Sequence, residues 1–298
     1  GIESFVSAAT TDAQGNFYVA GASANPIVGT LPPINGVLNP DNVVSDPVSS
    51  NKSDASTICY WKIDRSGAVV DTQSYNLPNA VIPSALVIDK GAVIVAGYLY
   101  ANPGVKSFIL NWGSDPIYLG KSSTSIFDLI KNSDGSIVAI GQSGAKLLDK
   151  NLRGKVDGFL ARFVNNKLVA VQRSSDVKAN RAWRTSTSSL LLGGYSNQNA
   201  VITRFATNFQ PIWTDRYPST GSALTAANSK GQFGAFVSNG AIKALPSWKG
   251  KNSILLLTFD KKGGISAANY IAGKRIDGLV ASNNLGPLLL AGGFVYRA

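Results

Sequence analysis

The carboxyl side chains in this chain, which could act as general acids or bases, are nearly all aspartates. Among 298 residues there is no histidine, one cysteine and one glutamate, Glu3. Histidine is the commonest general base and the commonest metal ligand, so Ser-His-Asp and Cys-His triads and histidine sites for zinc or haem are excluded. The lone Cys59 cannot form a multi-thiolate centre or an intrachain disulfide. The sequence therefore predicts no cofactor and no metal centre.

Glycoside hydrolysis is the chemistry that aspartates alone could support. It needs two carboxyl groups roughly 5 to 10 Å apart, one on each side of a sugar bond. Here, however, the aspartates fall in short polar strings with Gly, Asn or Ser, where turn bonding explains them; these are Asp12, Asp64, Asp89, Asp134 and Asp260. The Ser-x-Asp-x-Gly-x-Thr-Trp pattern of sialidases is also missing. A carbohydrate-active hydrolase or lyase therefore stays an alternative function.

Two further patterns suggest chemistry only weakly. Ser143 to Lys146 and Ser175 to Lys178 match Ser-x-x-Lys, which can pair a serine nucleophile with a lysine base. Both strings fall in expected loops and no Lys-Thr-Gly accompanies them, so we interpret them as chance. A run of oxygen-bearing side chains lacks the fixed spacing of a calcium loop and is interpreted as a solvated insertion; it contains Asp41, Asp46, Asn51 and Asp54.

The elements that must position these residues are short strands in two recurring phrases. The first phrase is an apolar run, a polar turn and a second apolar run that ends at Ala-Gly or Gly-Gly. Six copies occur, at about 5–21, 84–97, 126–141, 183–194, 222–237 and 277–292. Five copies of the second phrase lie between them, at about 56–73, 106–119, 158–173, 199–214 and 253–268. Each phrase has the alternation and central turn of a β-hairpin.

Two successive hairpins make a four-stranded antiparallel blade, and blades must pack face to face to cover their apolar sides. The sequence therefore predicts an all-β fold, a single β-propeller domain over residues 1–298. Six first hairpins and five second hairpins predict six blades with an incomplete terminal blade, unless residues 294–297 supply a strand. A seven-bladed ring is the alternative. Cys59 is expected to be a buried thiol in a strand.

The small residues that close the first phrase are expected to let neighbouring blades approach closely. In the fifth copy Phe236-Val237-Ser238 stands where the other copies have Ala-Gly.

The two phrases resemble the bacterial β-propeller repeats abbreviated SBBP. In that family a phrase like D-x-x-G-N-x-Y-V-A-G alternates with a second phrase that opens on D-x-F. Residues 12–21 of this chain resemble the first phrase, and residues 157–163 resemble the opening of the second. The resemblance implies the propeller fold and is nearly silent on function, because propellers carry many unrelated activities.

Charge is distributed unevenly along the chain. The net charge is +11, yet the first hundred residues hold eight acidic and four basic residues, and the excess of cations lies entirely beyond them. In a propeller the loops between hairpins emerge on one face and the tight hairpin turns on the other. Sorting the charges by this rule predicts one strongly positive face, with the turn face near balance. The same face carries the longest insertions, at about 24–55, 142–157 and 238–252.

Nine residues of this positive face form the predicted binding site: Lys150, Arg153, Lys155, Arg181, Trp248, Lys249, Lys251, Lys274 and Arg275. Trp248 is expected either to be exposed for stacking or to fold back over a blade edge. The cations either bind a partner or serve only solubility.

The leading functional hypothesis is non-catalytic. It is a recognition or structural assembly module whose basic face binds an anionic polysaccharide or an acidic protein surface. Secretion or a cell-surface location is expected from the abundance of Ser, Thr and Asn. No stretch is apolar enough to span a bilayer, and no nucleic-acid module is visible, so nucleic acid is disfavoured as a partner. Self-assembly by strand addition at the edge of the terminal blade is a further expectation.

Overall fold

A computed structural model describes residues 4–24, 55–101, 104–121, 123–174, 181–248, 250, 252–282 and 285–297. Its 23 elements are all β-strands, and the described residues contain no helix. The insertion with Asp41, Asp46, Asn51 and Asp54 lies outside these ranges, as does the Ser-x-x-Lys string 175–178. The all-β prediction is confirmed.

The strands form six antiparallel sheets in chain order. Sheet 1 contains β1 Ser4–Thr11, β2 Phe17–Ser23, β3 Thr57–Ile63 and β4 Val69–Asn76. Sheet 2 contains β5 Val81–Asp89, β6 Ala92–Tyr100, β7 Val105–Asn111 and β8 Ile117–Leu119. Sheet 3 contains β9 Thr124–Lys131, β10 Ile137–Ser143, β11 Asp157–Val164 and β12 Lys167–Ser174.

The last three sheets follow in the same way. Sheet 4 contains β13 Arg181–Ser186, β14 Leu191–Ser196, β15 Asn199–Phe205 and β16 Pro211–Pro218. Sheet 5 contains β17 Leu224–Asn228, β18 Gly231–Ser238, β19 Ser253–Phe259 and β20 Ile265–Ile271. Sheet 6 has three strands, β21 Gly278–Ser282, β22 Gly286–Ala291 and β23 Phe294–Arg297. The described residues thus contain a sixth sheet of three strands, and residues 294–297 supply one of them, as the sequence allowed.

The middle strands of the first five sheets are buried on both faces over most of their length, which explains their continuous apolar runs. In sheet 3, for example, β10 and β11 are buried over most of their length, whereas the outer strand β12 alternates between exposed and covered residues. Cys59 is buried in the middle strand β3, as predicted. The middle strands are more buried than the outer ones because the sheets are stacked face to face.

The chain divides into two compact units, Gly1–Ile126 and Phe127–Ala298, and the boundary falls inside β9. The core of the first unit joins sheets 1 and 2 around Ile58, Val95 and Phe108. In the second unit, sheets 3 and 4 share a core around Trp183, and sheets 4 and 5 share one around Phe236. Sheets 5 and 6 pack through a smaller cluster that includes Leu289.

The hairpin turns show why aspartate and glycine recur. In the turn after β3, the Asp64 carboxylate accepts hydrogen bonds from the backbone N–H groups of Ser66 and Ala68 at 2.8 and 3.0 Å. Gly67 has φ +89°, a left-handed conformation that costs a residue with a Cβ about 1–2 kcal/mol. Phe209, with φ +65°, occupies the position equivalent to Gly67 in the turn between β15 and β16 of sheet 4, which has no glycine. Turn geometry therefore persists where the glycine is missing.

The glycines that close the first phrase have a different role from the one predicted. A Cβ on Gly97 would lie 2.0 Å from the carbonyl oxygen of Ile82, which belongs to the first strand of the same sheet. Gly21 and Gly194 are crowded in the same way, each beside a β-bulge. The expected approach of a neighbouring sheet is found at Gly193, where an added Cβ would lie 2.6 Å from the Ala223 carbonyl oxygen. Most of these glycines thus accommodate a bulge within their own sheet.

Candidate functional site

The loop end of the second unit is the candidate site. It is formed by the connections between the second and third strands of sheets 3, 4 and 5. Those of sheets 3 and 5 are long, residues 144–156 and 239–252, whereas that of sheet 4 is the tight turn Asn197-Gln198. We name the exposed residues of these three connections, together with loop 272–277, the basic loop surface.

Backbone hydrogen bonds join these connections. Arg181 N–H donates to the Val156 carbonyl at 3.1 Å and so ties loop 144–156 to the start of β13. On the other side of sheet 4, Ser219 N–H donates to the Gln198 carbonyl at 3.2 Å, and Asn239 N–H donates to the Pro218 carbonyl at 3.3 Å. The short turn therefore lies between two longer loops that are fixed to the same sheet.

A buried ion pair anchors loop 144–156. Asp157 is the first residue of β11, and Arg173 lies near the end of β12. Their side chains are 0% and 3% exposed, and Arg173 Nη1 lies 3.5 Å from Asp157 Oδ2. The carboxylate accepts the backbone N–H groups of Arg153 and Gly154 at 2.7 and 2.9 Å. The guanidinium donates to the carbonyls of Ser143, Ala145 and Lys150. Both ends of the loop are thus bonded to one charge pair.

Sequence reasoning assigned no role to this pair. Its signals were an aspartate immediately before an apolar strand and an arginine near the end of the strand that pairs with it. Neither signal shows burial, because Asp157 also matches the opening of the recurring second phrase and Arg173 alternates with polar neighbours. Only the register of β11 with β12 brings the two side chains together.

The anchored loop exposes four cations. Leu147 is buried at 1% exposure and holds the middle of the loop down. Around it the side chains of Lys146, Lys150, Arg153 and Lys155 are exposed, as is Asp149. No salt bridge joins these four cations to another described residue. Three predicted site residues, Lys150, Arg153 and Lys155, are therefore brought together on one fixed loop.

Arg181 is not on this surface, contrary to the prediction that placed it in a loop. It is the first residue of β13 and is only 6% exposed, with its guanidinium 5.6 Å from the centre of the Trp183 ring. The strand begins earlier than the sequence pattern indicates, because Arg181 pairs with Ser196 of β14. Its charge is therefore part of the interior of sheet 4.

Trp248 takes the folded-back position that the sequence left as the alternative. Its indole N–H donates to the Gly240 carbonyl at 2.9 Å and to Ser238 Oγ at 3.1 Å. The ring stacks on Tyr270 with 5.3 Å between centroids and packs against the core of sheets 4 and 5. Trp248 thus holds loop 239–250 against its own sheet, and its ring is not left free to stack on a ligand.

The remaining predicted cations have different surroundings. Lys249 and Lys251 lie outside the described residues. Lys274 is exposed in loop 272–277. Arg275 is paired, with Nε 2.6 Å from Asp277 Oδ1, although its side chain is 84% exposed. Of this group, Lys274 adds an unpaired exposed charge to the basic loop surface within the described chain.

The expected contrast between the two ends of the sheets is weaker in this unit than over the whole chain. The tight turns of the second unit also carry an excess of cations: Lys131, Lys167, Lys230, Lys261 and Lys262 stand against Asp134 and Asp260. The turn face was expected to have nearly equal positive and negative charge. That expectation depended on four aspartates that all belong to the first unit, Asp12, Asp64, Asp89 and Asp115. What distinguishes the loop end is the anchored loop rather than charge alone.

The first strands of sheets 3 and 4 are joined by a partly buried carboxylate, that of Asp128. Asp128 Oδ2 accepts hydrogen bonds from the N–H and Oγ–H of Ser186 at 2.7 and 2.8 Å, and its Oδ1 accepts the N–H of Leu129 at 2.8 Å. Burial has the larger effect and raises the pKa of Asp128 to about 6, although these hydrogen bonds lower it.

No second carboxyl group accompanies Asp128 on the described first strands of the sheets in the second unit. Within the described part of the second unit, β9, β13, β17 and β21 contain no other carboxylate. Nor do the described residues of the chain contain a cluster of three potential metal ligands. Asp128 Oδ2 joins β9 to β13, and Oδ1 is bonded within β9.

Comparisons with known proteins support the fold alone. No family model matches the chain, and no curated protein matches it. Among solved structures, a subtype N10 neuraminidase-like protein of A/little yellow-shouldered bat/Guatemala/060/2010 is similar, with a TM-score of 0.53 and 9% identity over 98% of this chain and 92% of that one.

A protein of unknown function from Bacteroides caccae has a TM-score of 0.45 and 7% identity over 78% of each chain. The neuraminidase-like proteins are β-propellers. No described residue belongs to a helix that is long and apolar enough to cross a bilayer. The chain has the β-propeller fold.

Breaking the buried pair should destabilise the protein strongly. Asp157→Asn leaves the Arg173 guanidinium buried without its counter-charge, which typically costs about 3–5 kcal/mol. The matched control is Asp134→Asn, which breaks the exposed Arg162–Asp134 pair of the same sheet and should cost less than about 1 kcal/mol. Urea unfolding of both variants measures the difference, and equal losses would contradict the anchoring role.

Asp128 should make stability depend on pH. Its folded pKa of about 6 lies above the ordinary value of 3.8, so folding favours the protonated carboxyl. The stabilisation is fully present below pH 3.8 and is lost as the pH rises through 6, a change of about 3 kcal/mol. Unfolding free energies measured from pH 4 to 7 should show this fall for the wild type relative to Asp128→Asn. Parallel curves would refute it.

Proposed function

We propose that this protein is a non-catalytic recognition or assembly module whose basic loop surface binds an anionic polysaccharide or the acidic surface of a protein. The observation that carries the proposal is loop 144–156, which presents Lys150, Arg153 and Lys155 to solvent while the Arg173–Asp157 pair fixes its backbone. Exposed cations on a fixed backbone are suited to a partner whose charges are spaced along a chain.

The cost of the anchor supports a role in positioning. Removing two charges from water is expensive, and well-packed apolar residues in their place are often as stable or more stable. A buried pair is therefore weak as a device for stability alone. It does, however, bond five backbone groups in and beside one loop, so that binding loses less conformational entropy.

The form of the surface favours an extended partner. The cations lie on loops that flank a short uncharged turn, Asn197-Gln198, and both residues of this turn are exposed. Attraction to such a surface is electrostatic and weakens with salt. Nucleic acid is disfavoured, because Trp248, the aromatic residue expected among the cations, is folded into its own sheet.

Catalysis is not part of the proposal. The alternative of a carbohydrate-active hydrolase requires two carboxyl groups that face a substrate. Asp128 is instead engaged through both oxygens with Ser186 and Leu129. A secreted or cell-surface location fits an anionic polysaccharide as the ligand, and we include that location in the proposal.

We also infer that the six sheets are the six blades of one propeller domain over residues 1–298, built from repeats akin to the SBBP family. The superposition on the neuraminidase-like propeller over 98% of the chain supports a single domain. An experimental structure with a seventh blade would contradict this count.

Binding to a sulfated polysaccharide such as heparin tests the proposed function. Reversing three charges of the anchored loop, Lys150→Glu, Arg153→Glu and Lys155→Glu, should weaken binding at least about tenfold, since each lost contact removes a favourable electrostatic term. The matched control reverses three exposed lysines at the tight turns, Lys167, Lys261 and Lys262, and should weaken binding much less.

The same titrations are repeated at low and physiological salt, with uncharged dextran as the negative control. Wild-type affinity should fall as salt increases. Equal losses in the two triple variants would show that net charge alone drives binding. An affinity that is independent of salt would contradict the electrostatic basis of the proposal.

A further inference from the structure

Asp215 places a carboxylate on an otherwise apolar face of sheet 4. It lies on the outer strand β16 between Trp213 and Tyr217, which pack into the core that sheets 4 and 5 share. Residues two apart on a strand point to the same face, so Asp215 also points towards sheet 5. Its partner in register on β15 is Ile202, a member of the same core. The carboxylate is therefore partly buried among apolar side chains.

Tyr217 is the one described residue that bonds to this carboxylate. Its hydroxyl donates to Asp215 Oδ2 at 3.2 Å, and no salt bridge joins Asp215 to a described cation. Burial raises the pKa of Asp215, and the hydrogen bond from Tyr217 opposes that rise. Asp71 on the outer strand of sheet 1 also accepts a tyrosine hydroxyl, but it pairs in register with Lys62. Within the described chain, Asp215 thus lacks a counter-charge and can accept further hydrogen bonds.

The carboxylate lines a cleft of about 290 Å³ between sheets 4 and 5. Much of the remaining lining is apolar, with Ala241, Ile242 and Ala244 from loop 239–252 and Ile265 from β20. Ligand pockets are typically apolar with a few polar groups that orient the ligand, and they measure roughly 300–1,000 Å³. A cleft at the small end of this range suits a ligand of the size of one amino acid.

Hydrogen bonds fix the walls of the cleft. Trp248 holds the loop wall through its bond to the Gly240 carbonyl, and Asn239 N–H donates to the Pro218 carbonyl of β16 at 3.3 Å. The turn between β19 and β20 forms the third wall, and there Asp260 Oδ1 accepts the backbone N–H of Gly264 at 2.9 Å. Because the walls are already ordered, a ligand loses less free energy in organising them.

Lys243 brings a positive charge to the same cleft. It is exposed in loop 239–252, and no salt bridge joins it to Asp215 or to another described residue. Arg216 also lines the cleft, but it pairs in register with Val201 of the core between sheets 3 and 4, so its side chain belongs to the other face of the sheet. One negative and one positive side chain are therefore available to a ligand.

We propose that this cleft binds a small zwitterion with an apolar body, which is the chemistry of an apolar α-amino acid. The ammonium group of the ligand donates to Asp215 and supplies the missing counter-charge, while its carboxylate pairs with Lys243. The apolar body lies against Ile242 and Ile265. Lys243 is part of the basic loop surface, but the cleft is defined by Asp215 and does not depend on the function proposed for that surface.

The probes are L-leucine, L-isoleucine, L-valine and L-phenylalanine, titrated into the full chain and followed by NMR of the backbone amides. At least one of them should produce saturable shifts at residues 215–217, 241–244 and 263–265. Its N-acetyl derivative, which has no ammonium group, should bind at least about tenfold more weakly. Its carboxamide, which has no carboxylate, should bind at least about threefold more weakly, because the exposed Lys243 contributes less than the partly buried Asp215.

Substitutions locate the binding site. Asp215→Asn should weaken amino-acid binding at least about tenfold, and Lys243→Gln at least about threefold. The matched control Asp71→Asn changes another tyrosine-bonded aspartate on an outer strand and should leave the affinity unchanged. Reversal of the three charges on loop 144–156 should also leave it unchanged, which separates this site from the heparin site.

Stability distinguishes a binding role from a structural one. Asp215→Asn removes a partly buried charge that has no counter-charge and keeps an oxygen for the Tyr217 hydroxyl, so its unfolding midpoint at neutral pH should equal or exceed that of the wild type. A lower midpoint would assign Asp215 to structure and overturn the proposal. The absence of a saturable shift with all four amino acids would do the same, as would undiminished binding of the N-acetyl derivative or of the carboxamide.

Discussion

In the first five sheets the middle strands are apolar on both faces, and packing against another sheet covers such faces. β10 and β11 illustrate this constraint, since their side chains are buried over most of their length and one face packs against sheet 4. Once the faces are used for packing, only the ends of the sheets and the clefts left along their outer strands are free for binding. The proposed binding site follows from this division, because the basic loop surface lies at one end of the sheets.

The charged residues separate into those that hold the structure and those that face solvent. Asp128 joins two first strands, and the Arg173–Asp157 pair joins a loop to its sheet. Lys150, Arg153 and Lys155 are exposed on the loop that this pair holds. A buried pair that sets the position of exposed cations links the packing of sheet 3 to the proposed recognition function.

Much of the fold was predictable because hairpins are local. The Asp-Gly turns, the alternating strands and the incomplete sixth sheet could each be seen in short stretches of sequence. The bulges beside Gly21, Gly97 and Gly194 could not, because they depend on strand register. The site was predicted only in part for the same reason. Lys150, Arg153 and Lys155 follow from loop length, whereas the burial of Arg181 and the folding back of Trp248 depend on tertiary contacts.

The central claim is that the buried pair positions the loop for binding rather than stabilising the fold. It is tested most directly by replacing both members with apolar residues, Arg173→Met together with Asp157→Leu, and measuring stability and heparin affinity on the same sample. The account predicts an unfolding free energy within about 1–2 kcal/mol of the wild type, because apolar replacements of a buried pair are often tolerated. It also predicts affinity reduced at least about fivefold, because the cations keep their charge but lose their fixed positions. Unchanged affinity in the folded double variant would contradict it.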